Sequence, residues 1–252
     1  MKSTYFLSDA HLGSLAISHP RQQERRLVRF LDEIKDRAAA IYMLGDMFDF
    51  WFEYRTVVQK GYTRFLGKLS ELCDLGIEVH YFTGNHDTWC LDYLERECGI
   101  ILHQSPLTVE IGDRTFYLAH GDGLGDPDRK FRFLQGVFHN KLCQWAFRWL
   151  HPDIGMPFGR NWAKHSRMKH CEETPWQGED EEPLVIFAKQ YLGEHPDVDF
   201  FVFGHRHIQL DLALGRQTRV IILGDWIRQF TYAVYDGEGL YLERYTEGED
   251  TR

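Results

Sequence analysis

Short apolar runs alternate with amphipathic segments along the first third of the chain. The apolar runs at residues 4–8, 40–44 and 77–82 have the length of buried strands. Between them, apolar residues recur at helical spacing over residues 21–37 and 62–72. Three strand–helix units in series predict parallel strands at the centre of a sheet, with helices on its faces.

The second half of the chain continues as strands, with one exception. Residues 107–111 and 115–119 flank a Gly-Asp turn and predict a hairpin, and further strands are expected at 199–203, 219–223, 231–235 and 240–245. Between residues 128 and 171, apolar residues recur at mostly helical spacing without a strand pattern. We therefore expect one domain over residues 1–252, carrying a helical insertion at 128–171.

Composition and charge exclude several classes of protein. With 43% hydrophobic residues the chain is not intrinsically disordered, and a net charge of −9 argues against a general nucleic-acid binder. The five cysteines are odd in number and lack CxxC spacing, so neither a disulfide framework nor a thiolate zinc site is expected. The first residues lack the apolar core of a secretory signal, and no apolar run reaches about 20 residues, which predicts a cytoplasmic protein with at most peripheral membrane contact.

Five polar clusters follow predicted strands at their carboxyl ends. They are Asp9 and His11 (D-x-H), Asp46 and Asp49 (G-D-M-F-D), Asn85, His86 and Asp87 (G-N-H-D), His120 (H-G-D), and His205 and His207 (G-H-R-H). The carboxyl ends of strands in an open α/β sheet share one rim, where ligands bind. One such cluster alone is ordinary turn chemistry. Five in succession indicate a common site.

The residue types at this rim indicate metal binding. Carboxylate, carboxamide and imidazole groups without thiolates suit Mn²⁺, Fe²⁺ or Zn²⁺. Seven candidate ligands are too many for one tetrahedral site and fit two ions that share a carboxylate: Asp9, His11, Asp46, Asn85, His120, His205 and His207. Two ions about 4 Å apart can clamp a phosphoryl group for in-line attack.

The five motifs in this order resemble those of the calcineurin-like metallophosphoesterases and span most of the chain, from Asp9 to His207. The resemblance implies a four-layer α/β/β/α sandwich with two divalent metal ions, for which we expect Mn²⁺. One ion is expected at Asp9, His11, Asp46 and His207. The other is expected at Asp46, Asn85, His120 and His205, so that Asp46 bridges the two.

Within that superfamily the chain is most similar to the UDP-2,3-diacylglucosamine diphosphatases of lipid A biosynthesis. The similarity rests on G-D-M-F-D-F-W, H-G-D-G, the helical insertion before G-H-R-H, and L-G-D-W at residues 223–226. It implies hydrolysis of a lipid-linked nucleotide sugar to UMP and diacylglucosamine 1-phosphate. Well-known members carry Arg where this chain has His86, and in the wider superfamily that His pairs with the residue matching Asp49. We therefore expect His86 and Asp49 to be catalytic.

The insertion has a charge opposite to that of the rest of the chain. Nine Lys or Arg residues and one acidic residue, Asp153, lie between residues 129 and 171, interleaved with large aromatic residues, and give this stretch a net charge of +8. Such a surface is typical of contact with an anionic membrane, although its aromatic residues are also compatible with packing on the core. Phosphate-binding candidates in it are Arg160, Asn161, Lys164, Ser166 and Arg167, to which the rim residue Asp122 is added.

Three functions remain in competition. The first is hydrolysis of a lipid-linked nucleotide sugar at the inner face of the cytoplasmic membrane. The second is a soluble metallophosphoesterase acting on nucleotides, cyclic nucleotides or phosphoproteins, for which a basic and aromatic insertion has no evident use. The third is a non-enzymatic scaffold on the same fold, which the complete ligand set disfavours. A nuclease is weaker still, because positive charge is confined to the insertion.

Overall fold

Two β-sheets packed face to face lie at the centre of the structure, a computed structural model that describes residues 2–125, 136–138, 140–170 and 176–247. The strands are β1 (Ser3–Leu7), β2 (Ala38–Leu44), β3 (Glu78–Phe82), β4 (Ile101–His103), β5 (Leu107–Ile111), β6 (Arg114–Ala119), β7 (Phe200–Phe203), β8 (Gln209–Ala213), β9 (Arg219–Leu223), β10 (Thr231–Tyr235) and β11 (Leu240–Arg244). The helices named below are α1 (Pro20–Ile34), α2 (Thr63–Asp74), α3 (Tyr93–Cys98), α4 (Lys141–Arg148), α5 (Pro152–His170) and α6 (Pro183–Glu194).

The strand order places the predicted parallel strands side by side. The first sheet has the order β11-β10-β1-β2-β3-β4, in which β1 to β4 run parallel. The second has the order β5-β6-β7-β9-β8, in which β6, β7 and β9 run parallel. The carboxyl ends of β1, β2 and β3 in one sheet and of β6 and β7 in the other therefore each form a continuous rim.

Alternating side chains of the strands sort the core into three apolar layers. Tyr5 and Leu7 of β1 face α1 and α2, whereas Phe6 between them faces the second sheet. In the second sheet, Phe116 faces the first sheet and Tyr117 faces α6. Period-two alternation on strands buried on both faces produces this stacking. The predicted α/β/β/α sandwich is confirmed.

The insertion contributes helices α4 and α5, as its periodicity predicts. Phe147 of α4 packs against Phe52 and Trp89, with ring centroids 4.6 and 5.0 Å apart, and Trp89 Nε1 donates a hydrogen bond to the carbonyl oxygen of Phe138. A side chain at Gly159 of α5 would collide with the Phe50 ring. The helices thus rest on the loop that follows Asp49. Residues 126–135, 139 and 171–175 of the same stretch lie outside the described residues.

Four elements of the structure are not predicted by the hydrophobic pattern of the sequence, each for a physical reason. Strand β4 has three residues, and α3 has six, too few for a period to be recognised. Strand β8 is an edge strand whose alternation is partly exposed. Helix α6 begins with an unbroken apolar run at residues 184–188, which by itself does not distinguish a helix from a strand.

Replacing Phe116 by Ala is expected to lower the free energy of unfolding by about 3–5 kcal/mol. The ring is fully buried between the sheets and contacts the rings of Phe6, Phe200 and Tyr235. Urea unfolding followed by circular dichroism measures the change. Leu75→Ala, at an exposed position, is the control and should change stability by at most about 0.5 kcal/mol. Equal effects of the two substitutions would contradict the assignment of this layer.

Candidate metal centre

All five predicted clusters converge where the carboxyl ends of the two sheets meet. Asp9, His11, Asp46, His205 and His207 all have φ between 43° and 67°. Left-handed backbone is costly for residues other than glycine, about 1–3 kcal/mol each, and persists where the surroundings hold it, often at functional sites. Five such residues in one rim indicate a backbone built to aim these side chains.

Asp9, His11 and His207 form one group of donor atoms. The Nε2 atom of His207 lies 3.3 Å from Asp9 Oδ1 and 3.2 Å from His11 Nε2. The Nε2 atom of His11 lies 3.7 Å from the same Asp9 oxygen. Two imidazole nitrogens and one carboxylate oxygen therefore point at a common centre.

Asp46, His120 and His205 form a second group, with Asn85 at its edge. The Nε2 atom of His120 lies 3.4 Å from Asp46 Oδ2 and 3.2 Å from Asn85 Oδ1. One ligand atom from each of Asp46, His120 and His205 lies within 4.8 Å of the others. The second group thus combines two imidazoles with a carboxylate and an amide.

The carboxylate of Asp46 joins the two groups. Its Oδ2 atom lies 3.6 Å from His11 Nε2 in the first group and 3.4 Å from His120 Nε2 in the second. Its Oδ1 atom accepts a hydrogen bond from the main-chain NH of His86 at 2.8 Å. Gly84 is needed beside it, since a Cβ atom there would collide with this carboxylate. Asp46 holds the position expected of a bridging ligand.

Charges in the centre shift one another's pKa values. Burial raises the pKa of Asp46, but the imidazoles of His120, His86 and His11 outweigh this and hold it well below the usual value. Burial lowers the pKa of His120, but Asp46, Asp9 and Asp122 raise it well above the usual value. Both shifts favour the charged form of the group, so carboxylate and imidazole charges stabilise each other in this rim. Binding of a divalent metal ion would release protons from the imidazoles that hold it.

Two further observations show that the donor atoms suit a metal ion. The Nδ1 atom of His120 is 2.8 Å from the carbonyl oxygen of Leu44, which can only accept, so Nδ1 carries the hydrogen and the Nε2 lone pair faces the centre. The Oδ1 atom of Asp9 is buried and accepts no hydrogen bond from the described residues. A buried carboxylate oxygen of this kind is costly unless a cation contacts it.

His86 and Asp49 lie beside the first group, in a different arrangement from the expected side-chain pair. The Nδ1 atom of His86 is 2.9 Å from the main-chain oxygen of Asp49 and 4.0 Å from its carboxylate. The Asp49 carboxylate lies closer to His11 Nδ1, at 3.6 Å. The carbonyl oxygen orients His86 with Nδ1 protonated, which leaves Nε2 as the nitrogen available to a ligand.

Two further residues of the centre belong to motifs named from the sequence but were given no role there. Asp87, the last residue of G-N-H-D, is fully buried and accepts hydrogen bonds from the main-chain NH groups of Met47, Phe48 and Gly84 and from the Tyr81 hydroxyl. It therefore joins the loop that follows β2 to the loop that follows β3. Burial, with the nearby Asp46 charge, raises its pKa to about 6.

Asp225, in the L-G-D-W segment after β9, is the other. Its Oδ2 atom lies 3.5 Å from His207 Nδ1, and its Oδ1 atom accepts main-chain hydrogen bonds from residues 227 to 229. A carboxylate behind a ligand histidine orients the ring and selects its tautomer. The signal in the sequence was the position of this aspartate at the end of one more strand.

The surroundings of the predicted substrate-binding residues differ from one residue to the next. Asp122 is close enough to raise the pKa of His120, as described above. Arg160 lies beside the Tyr62 hydroxyl, whose pKa is raised by burial and lowered in part by this guanidinium. Asn161 is exposed and Lys164 is half-buried on α5. The side chains of Ser166 and Arg167 lie outside the described part of the chain.

Comparison with known proteins gives a family and several full-length relatives. The family model of calcineurin-like phosphoesterases matches residues 3–209. The UDP-2,3-diacylglucosamine hydrolase of Porphyromonas gingivalis is 44% identical over 97% of this chain and 98% of its own length. That of Azotobacter vinelandii is 29% identical over 95% and 97%.

Among solved structures, Yfce, a phosphoesterase from E. coli, has a TM-score of 0.45 at 14% identity, covering 94% of this chain and 90% of its own. The match of the family model over most of the chain agrees with the order and convergence of the five motifs. The chain belongs to the calcineurin-like phosphoesterase family.

Proposed function

We propose that this protein is a metal-dependent hydrolase that cleaves the pyrophosphate of UDP-2,3-diacylglucosamine to UMP and 2,3-diacylglucosamine 1-phosphate, a step of lipid A biosynthesis. The observation that carries the proposal is the Asp46 carboxylate shared between two groups of donor atoms. The 44% identical, full-length UDP-2,3-diacylglucosamine hydrolase supports this substrate over a nucleotide, cyclic nucleotide or phosphoprotein.

Two divalent ions, Mn²⁺, are proposed as the cofactors. Asp9, His11 and His207 would hold one ion, Asn85, His120 and His205 the other, and Asp46 both. Oxygen and imidazole donors without thiolate suit Mn²⁺, Fe²⁺ or Zn²⁺, and the similarity to the lipid A enzymes favours Mn²⁺ among them. Bound there, the ions would withdraw charge from the phosphoryl oxygens and lower the pKa of a water molecule.

His86 and Asp49 at the rim would stabilise developing charge and transfer a proton. His86, with Nδ1 donating to the Asp49 carbonyl oxygen, presents Nε2 to a phosphoryl oxygen or to the departing oxygen. Protonated, it stabilises the negative charge that develops there, and it can also give up the proton. Asp49 has a positioning part, since its main-chain oxygen orients His86 and its carboxylate faces His11.

The insertion is proposed to bring the enzyme to an anionic membrane surface at the inner face of the cytoplasmic membrane. Phe147 packs inward, whereas other large apolar residues of α4 and α5 point outward, led by Leu142 and Trp149 at 75% and 74% exposure. Exposed apolar side chains of this size beside Lys141 and Arg148 suit the lipid interface. Among the described residues no helix is both long and apolar enough to span a bilayer.

Removal of metal should abolish activity, and Mn²⁺ should restore it. Protein treated with a chelator and dialysed is assayed with UDP-2,3-diacylglucosamine in detergent, and UMP is measured by chromatography. Metal analysis of the untreated protein should give about two ions per chain. Release of uridine diphosphate instead of UMP would contradict the proposed bond, and full activity after complete metal removal would contradict the mechanism.

His86→Ala is expected to lower kcat about 100-fold or more while leaving metal content close to that of the wild type. The reason is that the Asp49 carbonyl oxygen holds His86 by Nδ1 and the proposed ligands of the first ion are Asp9, His11, Asp46 and His207, although a ring nitrogen of His86 lies within 4.8 Å of ligand atoms of His11 and Asp46. His86→Arg is the matched control, because Arg is the residue that well-known lipid A enzymes are expected to carry here, and it should retain more activity than Ala. A parallel loss of metal and activity would make His86 a ligand.

Trp145→Ser and Trp149→Ser should weaken co-sedimentation with vesicles of phosphatidylcholine and phosphatidylglycerol. Each removes an exposed indole from the insertion, whose cations add about 1 kcal/mol each near an anionic surface. Trp176→Ser, at another exposed tryptophan outside the insertion, should bind as the wild type does. If Trp145→Ser and Trp149→Ser bound the vesicles as well as Trp176→Ser does, this membrane contact would be ruled out.

A further inference from the structure

Arg206 lies between two predicted ligands, His205 and His207, and has a buried partner of its own. Its Nε and Nη2 atoms donate to the two carboxylate oxygens of Glu182 at 2.7 and 3.0 Å. The Glu182 side chain is fully buried, and that of Arg206 is 16% exposed. The pair is thus a bidentate ion pair enclosed by protein, a geometry that specifies both orientation and distance.

Glu182 stands at the base of the insertion. It directly precedes α6, the helix to which the chain returns after α5. A Cβ atom at Gly125, where the chain leaves toward the insertion, would collide with the carbonyl group of Pro183. Outgoing and returning chain therefore run side by side at this point, next to the Arg206 ion pair.

The start of α6 also contacts the loop that carries His120. A Cβ atom at Gly121, the neighbour of His120, would lie 3.2 Å from the Leu184 methyl groups of α6 and 3.5 Å from His205 Cβ. The start of α6 is therefore packed against the loops of His120 and of His205. Glu182, the residue that precedes α6, is therefore next to both loops.

The loop that carries His205 and His207 has a strained backbone that neighbouring structure must hold in place. His205 and His207 flank Arg206 with φ of 67° and 51°, a conformation that residues other than glycine adopt only when neighbouring structure holds it. A buried carboxylate, for its part, is strongly unfavourable without its cationic partner. The requirement to pair Glu182 thus keeps Arg206, and with it the backbone on either side, in one position.

We propose that Arg206 is a positioning residue that acts through Glu182: their buried ion pair holds His205 and His207 in the geometry of metal ligands and ties that geometry to the base of the insertion. The inference rests on the proposed function, in which both histidines bind metal.

The first test is Glu182→Gln, examined by calorimetric titration of chelator-treated protein with Mn²⁺ and by thermal unfolding. We expect Mn²⁺ affinity to fall about 10- to 100-fold, the range for loss of a residue that supports ligands. Wild-type affinity in a folded Glu182→Gln protein would overturn the inference alone. A wild-type protein that binds no Mn²⁺ would overturn the proposed function and the inference with it.

A second variant separates positioning from stability. In the double variant Glu182→Leu with Arg206→Met, both charges are replaced by apolar groups, which commonly preserves or raises stability. We expect an unfolding temperature near that of the wild type together with the weak Mn²⁺ binding of the single variant. If affinity recovered along with stability, the pair would be merely structural and the inference would be wrong.

The control is Lys189→Gln on the same helix. It removes the ion pairs of Lys189 with Glu179 and Asp180, which lie at the surface and involve none of the candidate ligands. Mn²⁺ affinity within about two-fold of the wild type is expected, since exposed pairs contribute little. A loss equal to that of Glu182→Gln would show a general effect of α6 and overturn the specific role of Arg206.

Discussion

The carboxylate of Asp46 is the constraint on which the rest of the site depends. Its Oδ2 atom lies between His11 Nε2 and His120 Nε2, within 3.6 Å of both, in a region that the protein buries almost completely. Burying several carboxylates and imidazoles together is expensive unless cations or protons balance them. The imidazoles of His120, His86 and His11 supply that balance in part, since they hold the pKa of Asp46 well below its usual value. Asp87 accepts main-chain hydrogen bonds from the Asp46 loop and from the next loop, and Gly84 leaves room for the charged group.

The two sheets explain why the site lies where it does. Neither sheet alone carries enough donors, because β1 to β3 present Asp9, His11, Asp46 and Asn85, whereas β6 and β7 present His120, His205 and His207. The apolar layer between the sheets, which includes Phe6 and Phe116, sets their distance. Packing energy from this layer therefore holds the two halves of the polar cluster together. The insertion takes no part in this division, and its exposed apolar residues are the ones proposed to contact a lipid interface.

The sequence predicted most of the fold, and the seven side chains that it offers as candidate ligands lie together in the structure. Strand and helix periodicity located the central elements, because a strand buried on both faces and an amphipathic helix leave distinct patterns. The family is confirmed by the match over residues 3–209. Strands β4 and β8 were missed because short and half-exposed strands have almost no pattern. The Asp49 and His86 side chains were expected to pair, yet the main-chain oxygen of Asp49 is the partner of His86, a distinction that spacing in the chain does not contain.

By itself, then, the sequence determined which residues are available for metal chemistry, because residue type and position at strand ends are local properties. Tertiary structure decided how they are divided and supported. Asp46 faces two groups at once, Asp225 stands behind His207, and Arg206 pairs with Glu182 across 24 positions of the chain. These relations depend on how separate loops are brought together by the packing of two sheets. That packing is a cooperative property of the whole chain, and no single segment encodes it.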